Sequence, residues 1–348
     1  MCDDHEHSAA EAAWSAPRAA EGPAADPVTL PESDEVTVTT MVDNTFDALL
    51  ASGGGVVRAP LDAGRVAARQ FTDGETVAGL RAEHGFSALV TVRTGNTSST
   101  LLFDAGASPD GLAVNAQRLG VDAGDLQGVV LSHGHFDHTG GLDGLARLRG
   151  RAGLPLTVHP AAWTRRRLDL PGGRGLEMPT LSRGALEGEG FTVIERREPS
   201  LLAGAILVTG EVDRVTEFEH GMPPQHQAWD GEGWRHDPTV IDDQALVINV
   251  RGRGLVVITG CGHAGVVNIA RYARRLTRDQ PLYALLGGFH LNGPMFEPLI
   301  PRVLDDLAAM DPGVLVPAHC TGWRAQHAMA ARFPGVFVPN TVGTSFYL

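Results

Sequence analysis

The sequence predicts an α/β protein of four layers, an αββα sandwich, on three observations. A pair of β-type runs joined by a short polar turn opens each half of the chain, at 86–103 and at 245–259. Both halves then close with apolar runs that alternate with segments of helical spacing. Hydrophobic residues make up 43% of the 348 and charged residues 20%, which supplies a sizeable core for one large domain or two smaller ones. Two such sheets, each with helices on one face, bury their other faces against each other, and their strand ends meet along one edge.

In chain order, residues 1–34 are rich in Ala, Glu, Asp and Pro without a period and read as a disordered acidic arm, to which Cys2, His5 and His7 are incidental. The rest, 35–348, reads as a single domain with insertions near 52–74 and 169–243. Within it, 36–42 is a strand and 44–51 a helical turn, and the Gly-, Arg- and Ala-rich 52–74 has no period. Strands at 86–93 and 100–103 flank the turn 94–99, then 109–119 has helical spacing and 127–131 is a short apolar run. A helix over 141–148, a strand at 156–159 and a helix over 161–168 follow. Between 169 and 243 the pattern breaks, with strands only at 191–196 and 205–209. The long loop 214–243 holds three His, two Trp and three Pro, and loops of that length are lids or disordered connections. Strands at 245–250 and 255–259, joined by Arg-Gly-Arg-Gly, lead into a helix over 264–276 and a strand at 282–286. The remainder reads as helix 296–310, strand 314–317, helix 321–332 and strand 336–338.

Composition removes several chemistries. All 28 basic residues are Arg, so Schiff-base and P-loop lysines are excluded. The net charge is −13, but nine acids against one Arg fall in residues 1–35, so the folded part is mildly acidic and a poor fit to nucleic acid. Three cysteines, Cys2, Cys261 and Cys320, build no disulfide framework and point to a reducing cytoplasm. No run of 18 apolar residues reads as a membrane span, and no secretory signal is visible. Histidine, at 14 residues, is the abundant reactive type.

The densest signal is Leu131-Ser-His-Gly-His-Phe-Asp-His-Thr-Gly-Gly141, directly after an apolar strand. His133 and His135, two apart on an extended segment, share one side and can hold one metal. Asp137 and His138, at the turn into a helix, can face a second. Imidazole and carboxylate donors suit Zn²⁺, Fe or Mn²⁺. The glycines at 134, 140 and 141 are expected to let the backbone bend tightly.

This stretch resembles the H-x-H-x-D-H signature of the metallo-β-lactamase superfamily. The resemblance extends to Asp104-Ala-Gly106, to Ile258-Thr-Gly-Cys261 and to Val316-Pro-Ala-His-Cys-Thr-Gly322, and so covers roughly 36–345. Met41-Val-Asp-Asn44, Glu83-His-Gly-Phe-Ser87, Thr259-Gly-Cys-Gly-His-Ala-Gly265, Gly287-Gly-Phe-His-Leu291 and His319-Cys-Thr-Gly322 narrow it to one subfamily. Its members are labelled synthases of 7,8-dihydropterin-6-methyl-4-(β-D-ribofuranosyl)aminobenzene 5′-phosphate. The resemblance implies the metallo-β-lactamase-like αββα fold and two divalent metals, with His319 as the last His ligand and Asp104 behind a ligand, orienting its imidazole. Where most members place a bridging Asp, this chain has Cys261, with His263 two residues on. We expect His263 at the first metal and the Cys261 thiolate at or near the bridge, which favours Zn²⁺. Candidates for the family's remaining His are His159, His220, His226 and His236.

His290, at another strand end, reads as a ligand, a general acid or a structural residue. Arg165 and Arg214 are the cations expected near the mouth, placed to hold a substrate phosphate or carboxylate. The leading expectation is therefore a binuclear metal-dependent hydrolase of small esters, lactones, thioesters or phosphoesters. A metal-activated hydroxide is its nucleophile, Asp137 orients that hydroxide, and His290 assists the leaving group. The alternatives are the pterin-condensing synthase of the subfamily label and a di-iron oxidoreductase. Neither a nucleic acid nor a membrane is expected as partner.

Overall fold

The computed structural model describes residues 26–61, 64–150 and 153–348. Two sheets face each other. The first runs, in spatial order, Phe191–Glu195, Leu154–Val158, Gly128–Val130, Thr97–Phe103, Ser87–Thr94, Glu35–Val42, Ser345–Tyr347 and Val56–Val57. Its first four strands are parallel and the rest antiparallel. The second runs Ser200–Leu202, Ile206–Val208, Ala245–Val250, Gly254–Thr259, Leu282–Gly288 and Val314–Ala318, with Glu32–Ser33 paired parallel to Ala245–Val250.

Alternation along the strands explains the layers. From Ala245–Val250, Leu246, Ile248 and Val250 point between the sheets and meet Val36, Val38 and Val90 of the first sheet. Ala245 and Val247 point the other way, onto helices Val266–Leu276, Ile300–Met310 and Trp323–Arg332 through Ile269, Val303, Leu307 and Met329. The strand is buried on both faces and is correspondingly apolar throughout. On the far side, Leu112, Ala116, Leu142 and Leu145 of helices Gly111–Leu119 and Leu142–Arg149 cover the first sheet. The four layers are thus α, β, β, α. Each fully buried Leu or Ile contributes about 1.5–3 kcal/mol, against about 0–1 kcal/mol for a surface ion pair, so apolar packing holds the layers.

A smaller four-stranded sheet, ordered Arg174–Glu177, Arg166–Leu170, His226–Trp229 and Trp234–His236, is built from the irregular middle of the chain. It replaces the helix expected over 161–168, where a 3-10 turn, Pro160–Trp163, gives way to the strand Arg166–Leu170. The reason is tertiary. Arg166 is 3% exposed, its Nε 3.0 Å from Asp237 Oδ2 and its Nη1 donating to Asp242 Oδ2 at 3.2 Å, and it is the first residue of the strand. The loop expected over 214–243 holds the hairpin of that sheet, turned by Asp230, whose carboxylate accepts the Glu232 and Gly233 amides.

Three further expectations are corrected. The turn at 44–51 is not helical, because Asn44 is committed to distant groups described below. The strand expected at 336–338 makes a single bridge, Leu315 with Phe337, and the strand that closes the chain is Ser345–Tyr347, in the first sheet. Helix Arg183–Gly188 carried too short a pattern to be read. Of the arm expected over 1–34, residues 1–25 lie outside the described residues, while the buried Leu30 and the strand Glu32–Ser33 lie on the second sheet.

Candidate metal centre

Strand ends of both sheets deliver the reactive side chains to one edge. Gly128–Val130 ends just before Ser132, His133 and His135, and the short helix Phe136–Thr139 carries Asp137 and His138. From the second sheet, Gly254–Thr259 leads to Cys261 and His263, Leu282–Gly288 to His290, and Val314–Ala318 to His319. Asp104, His290 and His319 are non-glycine residues in the left-handed region, with φ of 58°, 46° and 49°, a strain that concentrates at functional sites. The glycines of the motif act through close approach rather than bending. Gly140 has φ −61° and Gly141 −79°, yet a Cβ on them would lie 1.8 Å from the Ala107 carbonyl oxygen and 2.0 Å from that of Ala105.

The hydrogen bonds behind the imidazoles fix which nitrogen of each faces inward. Ser132 donates its hydroxyl to Asp104 Oδ2, so its oxygen accepts from His133 Nδ1 at 2.8 Å, leaving the lone pair of His133 on Nε2. His226 Nδ1 lies 3.0 Å from the Asp237 carbonyl, which can only accept. His226 Nε2 therefore accepts from His135 Nε2 at 3.0 Å, and the lone pair of His135 is on Nδ1. Those two lone pairs, His133 Nε2 and His135 Nδ1, lie 3.0 Å apart. The same logic holds for His319. Asn44 gives its amide N–H to the His319 carbonyl at 3.1 Å, so its Oδ1 accepts from His319 Nδ1 at 3.1 Å. His319 Nε2 is left facing Asp137 Oδ2 at 3.3 Å. His138 gives Nδ1–H to Asp104 at 2.6 Å and turns Nε2 to Cys261 Sγ at 3.1 Å.

Acceptors facing acceptors in a buried site repel unless a cation lies with them, so the donor set fits metal ions. Two groups converge: His133, Cys261 and His263, and Asp137, His138, Cys261 and His319, the donor atoms of each lying within 4.8 Å of one another. Cys261 is common to both. His135 adjoins the first group through His133, and both ring nitrogens of the buried His263 lack a hydrogen-bond partner among the described residues. Electrostatics agree. Burial holds His133, His135 and His263 well below the ordinary imidazole value, hence neutral and able to ligate. For His138 burial also pulls down, but the Asp104 and Asp137 carboxylates outweigh it and raise the group to about 9, so they hold a positive charge at Nε2, for which a metal competes. Burial pushes Asp137 up, yet the charge on His138 beside it leads the effects that hold it well below the usual carboxylate range.

His290, in a cleft lined also by Glu219, His263, Phe289 and Phe296, stacks edge-on against Phe296 and keeps a buried Nδ1 without a partner among the described residues. His84 lies exposed over the His319 ring at 5.0 Å. The two arginines stand elsewhere. Arg214 gives its N–H groups to the carbonyls of His263 and Thr239 and so backs His263 from behind. Arg165 pairs with Glu177 on the small sheet and lies over Trp229. Asp242 accepts the Gly134 amide at 2.8 Å, and Asp243 that of Ala264 at 2.9 Å. His226 and Ser132 are the orienting groups that sequence left undistinguished, because only the tertiary pairing of the small sheet and the Asp104 turn reveals them.

Fold and site together define a metallo-β-lactamase-type protein. The family model described as "Metallo-beta-lactamase superfamily" matches residues 81–277, and the chain belongs to that superfamily. It is 25% identical, over 72% of its own length and 85% of the relative's, to a protein of Methanocaldococcus jannaschii named 7,8-dihydropterin-6-methyl-4-(β-D-ribofuranosyl)-aminobenzene-5′-phosphate synthase. It is 31% identical to an uncharacterised protein of the same organism, over 70% of the chain and 86% of that protein. Among solved structures it is similar to Tm1679, described as a metal-dependent hydrolase of the β-lactamase superfamily, with a TM-score of 0.66 and 24% identity over 90% of this chain and 98% of that one. No helix of the described residues is long and apolar enough to cross a membrane.

Proposed function

We propose that the chain is a binuclear metal-dependent hydrolase acting on a small ester, lactone, thioester or phosphoester in a reducing, cytoplasmic setting. The observation that carries this reading is the sharing of Cys261 Sγ by two donor groups, at which the His133, His135 and His138 imidazoles are each held from behind by a hydrogen bond. His133, His135, His263 and Cys261 would hold one ion, and Asp137, His138, His319 and Cys261 the other, with zinc favoured by the thiolate. Bound divalent ions supply Lewis-acid chemistry and bring the pKa of water toward neutrality.

The remaining work falls to side chains. Asp137, with its side chain 12% exposed, would orient the attacking water by accepting one of its protons in a hydrogen bond. His290, in the cleft beside His263, would give a proton to the leaving group. Phe289 and Phe296 give that side of the cleft an apolar lining. The test is elemental analysis of tag-free protein. About two zincs per chain in wild type, with one lost in Cys261→Ala and in His263→Ala, supports the site; a panel of the four substrate types then follows. No metal above background overturns the reading, and two irons move it to redox chemistry.

The likeness to the pterin-linked synthase over 85% of that protein favours a second reading, in which a pterin that carries a diphosphate leaving group condenses with a phosphorylated aminobenzene riboside and pyrophosphate departs from the pterin. Pyrophosphate appearing only when both partners are present, with no hydrolysis of the panel, selects it.

A further inference from the structure

Cys320 belongs to neither donor group assigned above, yet its sulfur stands beside them. The Sγ atoms of Cys261 and Cys320 and a ring nitrogen of His290 lie within 4.8 Å of one another. Cys320 Sγ donates to the Cys261 carbonyl at 3.3 Å. The topology explains the approach. Gly254–Thr259, Leu282–Gly288 and Val314–Ala318 are consecutive parallel strands, and the two cysteines follow the outer two at the same end. Only the middle strand separates them, and it ends in Gly288. A Cβ there would lie 2.7 Å from Cys320 Sγ and 3.1 Å from Cys261 Cα, so no side chain screens one sulfur from the other. The two differ in access, Cys261 being 3% exposed and Cys320 half-buried.

We propose that Cys261 and Cys320 are an oxidative modification site, closed to a disulfide by a peroxide, and that closure competes with metal at the shared ligand. The more accessible Cys320 sulfur gives an electron pair to one peroxide oxygen, becoming the sulfenic acid, with one water released. The Cys261 sulfur then attacks Cys320, the S–S bond forms, and the oxygen leaves as a second water with the Cys261 proton. Two thiols and one hydrogen peroxide thus give one disulfide and two waters, and the two electrons end on peroxide oxygen. Cys261 is then lost to both donor groups at once. The cross-link stands on the sulfur geometry alone; only the release of metal rests on the proposed binuclear centre.

The experiment uses the full chain carrying Cys2→Ser, so that two thiols remain, prepared metal-free and zinc-loaded and treated with hydrogen peroxide. Peptide mass analysis without reductant reads the cross-link, and a chromogenic chelator reads released zinc. The expected result is a Cys261–Cys320 peptide lighter by two hydrogens, formed faster in metal-free protein, with zinc released in step and rebound after a dithiol. Cys320→Ser should release zinc at least about tenfold more slowly, because only the buried sulfur remains to react. Persisting thiols in the metal-free protein, or sulfinic acid with no linked peptide, overturns the cross-link. If the cross-link forms but zinc was never bound, the metal centre fails and the modification site stands. If Cys320→Ser loses zinc as fast as its parent, the coupling is overturned.

Discussion

Asp104 accepts the Ser132 amide at 2.6 Å, the Ser132 hydroxyl at 2.7 Å and His138 Nδ1–H at 2.6 Å, and so orients two imidazoles at once. Asp104→Asn replaces one accepting oxygen with an N–H group, and metal affinity read by chelator competition should weaken about 10–100-fold. His226 makes a sharper test. His226→Leu removes the acceptor for His135 Nε2–H and should weaken metal binding by a similar factor, whereas His226→Gln, with an oxygen near the place of Nε2, should recover most of it. Equal losses in both variants would refute the orienting role. Glu219 titrates in a predictable sense. It accepts the Val267 and Asn268 amides, and burial pushes it up to about 7 from an ordinary 4.5. At this group the folded chain then binds more protons than the unfolded between those values, so the contribution of Glu219 to stability falls as pH rises from about 4.5 to about 7. The melting temperature of wild type minus that of Glu219→Gln should therefore fall as pH rises across that window. At this scale the sequence disclosed what lies in one short segment. Residues 133–138 announce themselves by type and spacing, whereas His226 is one of four equivalent histidines until a strand pairing selects it.

Among elements, the small sheet has the strongest bearing on the cluster. Strand Arg166–Leu170 brings a buried guanidinium to Asp237 and Asp242, and Asp242 in turn holds the Gly134 amide between the first two histidines. Arg166→Met leaves the buried Asp242 and the part-buried Asp237 uncompensated, and chemical denaturation should show a loss of about 3–5 kcal/mol. The double variant with Asp242→Asn should recover part of it. The segment looked helical in sequence because Ala161 to Leu168 carries no breaker, and local propensity was overridden by a partner more than 70 residues away. The helix after the motif is constrained differently. Gly141→Ala puts a methyl 2.0 Å from the Ala105 carbonyl oxygen, so the backbone must move, at about 1–3 kcal/mol, and His138 with it. Reduced stability together with reduced zinc content is the expected outcome.

Across the whole molecule, the four-layer order was legible because it depends on the repeated sequence of strand and helix, which local patterning records. The order of strands within each sheet was not, since pairing over long separations leaves no local trace. Ser345–Tyr347 is the clearest case. It lies antiparallel beside Glu35–Val42, and the Thr39 and Ser345 hydroxyls, 306 positions apart, are 2.7 Å from each other. A ribosome therefore delivers the entire second sheet before it delivers the second neighbour of the strand at 35–42. Until then that strand keeps a bare edge, open to pairing with other chains. The two halves, though each has its own helices and its own share of the cluster, reach maturity together rather than in the order in which they are made.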